Sequence, residues 1–168
     1  MSFPKVPVSE LPLNPFTQIG KDWMLVTASD GPRVNAMTAS WGGLGVLWGT
    51  EVAYVVIRPQ RYTRELIDRA DGFTLSYFDG GYKKELGVLG TLSGRDGDKL
   101  AQVGFTVRAF DGVPAPEQAS LVLVTHTLYR QPLRGECFIE PRLDAQHYPQ
   151  KDYHILYIAR IQAAYRRV

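Results

Sequence analysis

The sequence predicts a mainly β domain, a closed barrel of short strands with a few short helices packed on its rim. Three observations carry that reading. About seven or eight apolar runs have the length and two-residue alternation of strands. Only about three stretches have helical spacing, and they do not alternate with the strands as a doubly wound α/β fold requires. The run over residues 120–129 is apolar on both faces, with Leu121, Leu123 and Tyr129 on one and Val122, Val124 and Leu128 on the other. A strand covered on both sides belongs in a closed barrel or under an interface.

The elements follow in order. Residues 1–15 hold four of the eleven prolines. They read as an extended arm, either lying over a neighbour or a sheet edge or hanging as a loose tail. Residues 16–168 form the domain. Residues 23–28 and 34–40 are two strands of a hairpin that turns at Ser29-Asp30-Gly31-Pro32. Residues 41–49 are apolar yet too glycine-rich for a helix, and read as a tightly packed loop. A buried strand over 52–57 is ended by Pro59. Residues 62–70 read as an amphipathic helix burying Leu66 and Ile67 and stopped by Gly72. A strand spans 73–78. Residues 82–89 are a short helix or, with Gly87 inside, irregular structure. A polar turn over 93–98 leads into a short helix over 99–103. Strands over 106–109, 120–129, 137–140 and 153–163 complete the chain.

Composition bounds the function. With 168 residues and 45% hydrophobic content, the chain is long enough for one domain with a substantial core and too apolar for disorder. A net charge of +2 argues neither for nor against nucleic acid, and with the Arg166-Arg167 pair too short to be a basic tail, no nucleic-acid partner is expected. The single cysteine, Cys137, forms no intrachain disulfide and suits a reducing compartment. No signal peptide is read at the start, and no apolar stretch approaches the ~20 residues of a membrane helix. The expected location is the cytoplasm.

Several chemistries lack their residues. His126, His147 and His154 have no zinc-like spacing, so no metal site is expected. There is no GxSxG elbow. The glycines from Gly42 to Gly49 match neither dinucleotide nor P-loop patterns. Asp96 and Asp98 read as helix capping beside a charged turn.

Three segments offer binding chemistry. In Asn35-Ala36-Met37-Thr38-Ala39-Ser40-Trp41, small and hydroxylated residues near a strand end leave room for a flat ligand and free backbone groups for its rim, or else serve tight sheet packing. Arg58-Pro59-Gln60-Arg61-Tyr62-Thr63 lies between strand and helix. It is either a phosphate grip of arginines and a hydroxyl or a solvated turn pairing with Glu65 or Asp68. Ser93-Gly94-Arg95-Asp96, with Lys99 one turn later, repeats that theme or is a surface loop.

These segments, together with Phe73-Thr74-Leu75-Ser76-Tyr77-Phe78 and the continuation to Lys99, resemble the flavin reductase-like, FMN-binding split-barrel family, in particular its flavoredoxin branch. The likeness spans about Phe16 to Arg160. It implies a Greek-key type split barrel, FMN as cofactor, NADH or NADPH as electron donor, an onward electron acceptor and a homodimer. By resemblance, Met37, Thr38, Ala39, Ser40 and Trp41 line the flavin ring and ribityl chain. Arg58, Arg61 and Thr63 grip the phosphate, with Tyr62 beside them. Ser76, Tyr77 and Phe78 pass beneath the flavin. Ser93, Gly94, Arg95 and Lys99 form a second wall. No catalytic side chain is required, because the flavin carries the chemistry. The implied activity is an NAD(P)H-dependent flavin reductase. An electron carrier reduced by a protein partner and a non-catalytic flavin-binding module remain alternatives. Trp41, Trp48, Tyr82 and His154 wall the substrate side or belong to the core or a dimer contact.

Overall fold

The computed structural model describes residues 2–168. Its strands are β1 (Lys5–Val6), β2 (Met24–Ser29), β3 (Val34–Ala39), β4 (Gly42–Leu47), β5 (Thr50–Ile57), β6 (Thr74–Tyr77), β7 (Val107–Phe110), β8 (Val113–Pro116), β9 (Leu121–Pro132) and β10 (Ile155–Arg166). Its helices are α1 (Pro15–Gln18), α2 (Tyr62–Ile67), α3 (Lys83–Thr91), α4 (Lys99–Gln102) and α5 (Pro141–His147).

The main sheet runs β3-β2-β6-β9-β10-β5-β4. Its two end strands, β3 and β4, are neighbours in sequence, joined only by Ser40 and Trp41. A row of strands whose ends are this close along the chain must curl round on itself, so the sheet forms a barrel. Among the described residues no ladder joins β3 to β4 or β5, and the barrel is therefore split along that line. The last strand is long enough to serve two partners. Residues 155–160 pair with β5, and Ala164 and Tyr165 pair with β1. Register shifts against β9 between Ile158 and Ala159 and between Ile161 and Ala163 bend it from one to the other.

Alternation sorts side chains into two cores. Met24, Val26, Leu121, Leu123, Tyr157 and Ile57 fill the barrel, and α2 adds Leu66 and Ile67. Leu25, Val122 and Val124 point outward beneath α3, α4 and the β7–β8 hairpin, against Leu86, Leu89, Leu100 and Phe110. The two-sided apolar pattern of residues 120–129 has this cause. Each fully buried aliphatic side chain contributes roughly 1.5–3 kcal/mol of transfer free energy.

The structure corrects several sequence expectations. Residues 42–47 are strand β4, not a loop. Glycine is needed there for closeness, since a Cβ on Gly43 would lie 2.5 Å from Tyr54 Cε1 on the paired strand. Trp48 and Gly49, both at positive φ, make the tight turn into β5. Residues 137–140 form no strand. A 3-10 turn covers Gly135–Cys137 and α5 follows, started by Pro141 with Glu140 as its cap. Strand β8 was hidden by Pro114 and Pro116, which an edge hairpin tolerates. The last strand begins at Ile155 and runs on to Arg166.

Candidate functional site

The split is the opening through which the barrel meets solvent, and two joined cavities lie along it. The first, about 310 Å³, is lined by Met37, Thr38 and Ala39 of β3, by Ser40 and Trp41 after it, and by Val56 of β5 across the split. Arg58, Arg61 and His154 complete its wall. Because β3 ends the sheet, it has a ladder partner on one side only, and alternate backbone N–H and C=O groups face the split.

This end is aromatic and neutral. Trp41 lies 4.9 Å from the His154 ring and 5.2 Å from the His147 ring, edge-on to the latter. His154 is 9% exposed, and its Nδ1 shares a 2.8 Å hydrogen bond with the hydroxyl of buried Tyr148. Burial first, and the Arg58 charge second, push the His154 pKa down to about 4, so its ring is neutral at ordinary pH. Arg58 is already committed. Its guanidinium pairs with Asp152, donates to the His147 carbonyl at 2.9 Å and lies over the Tyr148 ring at 5.3 Å.

The second cavity, about 180 Å³, begins where Arg61 divides it from the first. Asn35, Tyr62, Thr63, Ser93, Gly94 and Lys99 line it. Here the cations are not compensated. Arg61 Nη1 donates to the Gly90 carbonyl at 2.6 Å, but its Nη2 is fully shielded from solvent and has no partner. Lys99, 2% exposed, donates to the Leu89 and Leu92 carbonyls at 2.8 and 3.0 Å, which uses two of its three N–H groups. Neither cation has a carboxylate partner among the described residues. Burial, with the Arg61 charge behind it, lowers the Lys99 pKa to about 8. Burial likewise lowers that of Arg61.

A buried polar link braces this end. Asn35 Nδ2 donates to Thr63 Oγ1 at 2.8 Å, tying β3 to α2. Gly94 passes so close that a Cβ there would overlap the Asn35 amide. Ser93 Oγ accepts from Arg95 N–H at 3.2 Å. Arg95 itself stands at the rim, paired with Glu65 and 5.1 Å over the Tyr62 ring.

The structure thus brings together Met37 to Trp41, Arg58, Arg61, Tyr62, Thr63, Ser93, Gly94 and Lys99, with Arg95 at the edge. It does not bring Ser76, Tyr77 and Phe78 to the groove. Ser76 is buried and Tyr77 lies in the barrel core, its hydroxyl 3.8 Å from Met24 Sδ. Phe78 packs against Tyr82 and Phe105 in the outer core. Of the four candidate walls, Trp41 and His154 line the groove. Tyr82 packs in the outer core, and Trp48 sits at the β4–β5 turn, 62% exposed. Sequence reasoning missed Asn35 as a brace, although a buried amide in a strand is a signal of a polar partner.

The family model described as "Flavin reductase like domain" matches residues 16–167. The chain is similar to an FMN-binding domain of a flavin reductases-like enzyme from Shewanella baltica, at 20% identity and a TM-score of 0.71, covering 98% of this chain and 77% of that one. It is similar to an FMN-binding protein from Thermus thermophilus, at 26% identity and a TM-score of 0.67, covering 92% and 74%. It is also similar to a flavoredoxin from Methanosarcina acetivorans, at 19% identity and a TM-score of 0.67, covering 94% and 75%. No curated protein matches.

Proposed function

The chain belongs to the flavin reductase like domain family, and on that premise we propose that it is an FMN-binding oxidoreductase that takes electrons from NADH or NADPH. The observation that carries the reading is the pair of cations at the second cavity. Arg61 has a shielded, unpartnered Nη2, Lys99 is buried, and neither faces a carboxylate. Uncompensated charge in a poorly solvated site is costly, and a phosphate dianion removes that cost.

Arg61, Lys99, Thr63 and Ser93 would hold the FMN phosphate, with Gly94 allowing close approach. The backbone from Met37 to Trp41 would hold the ring rim. Bound there, FMN supplies a ring that accepts and releases electrons. The chain's own residues orient and shield. Trp41 and the neutral His154 exclude water from the aromatic end, and Tyr148 fixes the His154 ring through its hydrogen bond. Arg58, held by Asp152, acts as a wall rather than as a phosphate ligand.

The purified protein is expected to be yellow and to bleach on anaerobic titration with NADH or NADPH. Tight FMN without bleaching by either nucleotide would reject the reductase reading in favour of a carrier reduced by a protein partner. Absence of flavin binding would reject the whole reading. A homodimer belongs to the same proposal. Val46 and Trp48 are 76% and 62% exposed, Tyr129, 39% exposed, lies 6.4 Å from the Trp48 ring, and Tyr54 further along the same hairpin is 43% exposed, an apolar surface suited to a second copy. Sedimentation should give twice the chain mass, and Trp48→Glu should shift it towards the monomer.

A further inference from the structure

The groove is not the only recess with unpaired cations. A separate cavity of about 310 Å³ lies where the first and last segments of the chain meet, and it shares no lining residue with the groove. Pro12 comes to it from the N-terminal arm, Gln18 from α1 and Asp79 from the loop after β6. Ser120 comes from just before β9, and Arg166 and Arg167 from the end of β10.

Backbone bonds fix this frame. Arg167 N–H donates to the Ser120 carbonyl at 2.8 Å. Ser120 is braced in turn, its N–H and its Oγ both donating to the Tyr77 carbonyl, at 2.8 and 3.1 Å. Arg166 N–H donates to the Pro4 carbonyl and Val168 N–H to the Ser2 carbonyl, each at 3.2 Å. Both guanidinium groups therefore stand on a fixed backbone, and only the side chains remain to be ordered by a ligand.

Free donors outnumber free acceptors here. Arg167 Nη1 donates to the Gln118 carbonyl at 3.1 Å, which leaves most of its fork unused. Neither arginine has a carboxylate within ion-pair distance among the described residues, although Asp79 lines the same cavity. Gln18 Oε1 accepts from Asn14 N–H at 2.7 Å, so the amide group that remains to it is the donor Nε2. Two guanidinium groups against one carboxylate leave the walls net positive. Arginine forks match the paired oxygens of a carboxylate or a phosphate.

We propose that this cavity is a binding site for a small oxyanion, held by Arg166 and Arg167 with the Gln18 amide beside them. Its volume lies at the lower end of the ~300–1,000 Å³ of small-molecule sites. Carboxylate and phosphate ligands offer the same acceptors. An anion bound there ties α1 to the end of β10, and so the start of the domain to its last strand. The site is independent of the flavin reading. It also gives the Arg166-Arg167 pair, too short for a basic tail, a local use.

The test is calorimetric titration of the full chain with inorganic phosphate and, separately, with succinate, at constant ionic strength and with FMN present in excess. The wild type is compared with Arg166→Ala, Arg167→Ala and Asp79→Asn. Arg166 and Asp79 are exposed, so their variants are expected to fold, which thermal melts check. One saturable site is expected. Each arginine substitution should weaken it about tenfold, and Asp79→Asn should tighten it by removing the opposing charge. Tighter binding of phosphate or of succinate identifies the source of the oxyanion. Because the site is read by difference between variants, the result holds whether or not FMN occupies the groove. Absence of saturable binding of either anion, or affinity unchanged by all three substitutions, overturns the inference and leaves the flavin reading intact.

Discussion

Arg58 and Arg61 are three residues apart, line the same cavity and are in opposite electrostatic situations. Arg58 has a carboxylate, a carbonyl and an aromatic face. Arg61 has one carbonyl and a shielded nitrogen with nothing to bond. A cation whose donors are met inside the protein holds the fold together. A cation left unmet, beside a second buried one at Lys99, marks where an anion belongs. The neutral aromatic end and the charged end of the groove differ for the same reason.

Substitution should separate the two arginines most sharply. Arg61→Ala is expected to weaken FMN about a hundredfold, since charged hydrogen bonds contribute roughly 1.5–3 kcal/mol. Arg58→Ala is expected to lower stability by removing its contacts with Asp152, the His147 carbonyl and the Tyr148 ring, with a far smaller change in FMN affinity. Isothermal titration and denaturant unfolding of both variants measure the contrast, and equal loss of FMN affinity would erase it. Gly94→Ala should come next. Its Cβ would displace the Asn35 amide and with it the Thr63 link, weakening FMN about tenfold with the barrel retained.

A pH titration sharpens the comparison further. Lys99 loses its proton near pH 8 in the free protein, so affinity for FMN should fall as pH rises through that value. Stability of the free protein should move the other way. The folded pKa lies below the ordinary 10.5, so the unfolded chain holds more protons between about 8 and 10.5, and unfolding free energy rises with pH across that window. At the aromatic end the window is acidic. His154 is depressed from 6.5 to about 4, so stability should be lost as pH falls across that range, and His154→Gln should flatten the slope.

Much of this contrast lies beyond sequence alone. Strand alternation in residues 23–28, 52–57 and 120–129 announced the barrel, because a two-residue period with apolar faces has few other solutions. The glycines of β4 misled, since closeness to Tyr54 and flexibility in a loop call for the same residue. The segment from Arg58 to Thr63 was legible as a place of cations. Which arginine faces a ligand was not, because Asp152 and His147 reach Arg58 from 94 and 89 residues away. Ser76 and Tyr77 stand on a strand whose two faces both feed cores, with Phe78 just past its end, and their alternation carried no sign of distance from the split.

The central claim is that Arg61 and Lys99 hold a flavin phosphate, and riboflavin is FMN without one. Affinities of the wild type and Lys99→Met for FMN and riboflavin therefore test it most directly. The account predicts that the wild type prefers FMN by about a hundredfold, and that Lys99→Met closes most of that gap by weakening FMN while leaving riboflavin unchanged. Equal affinity of the wild type for the two flavins would contradict it.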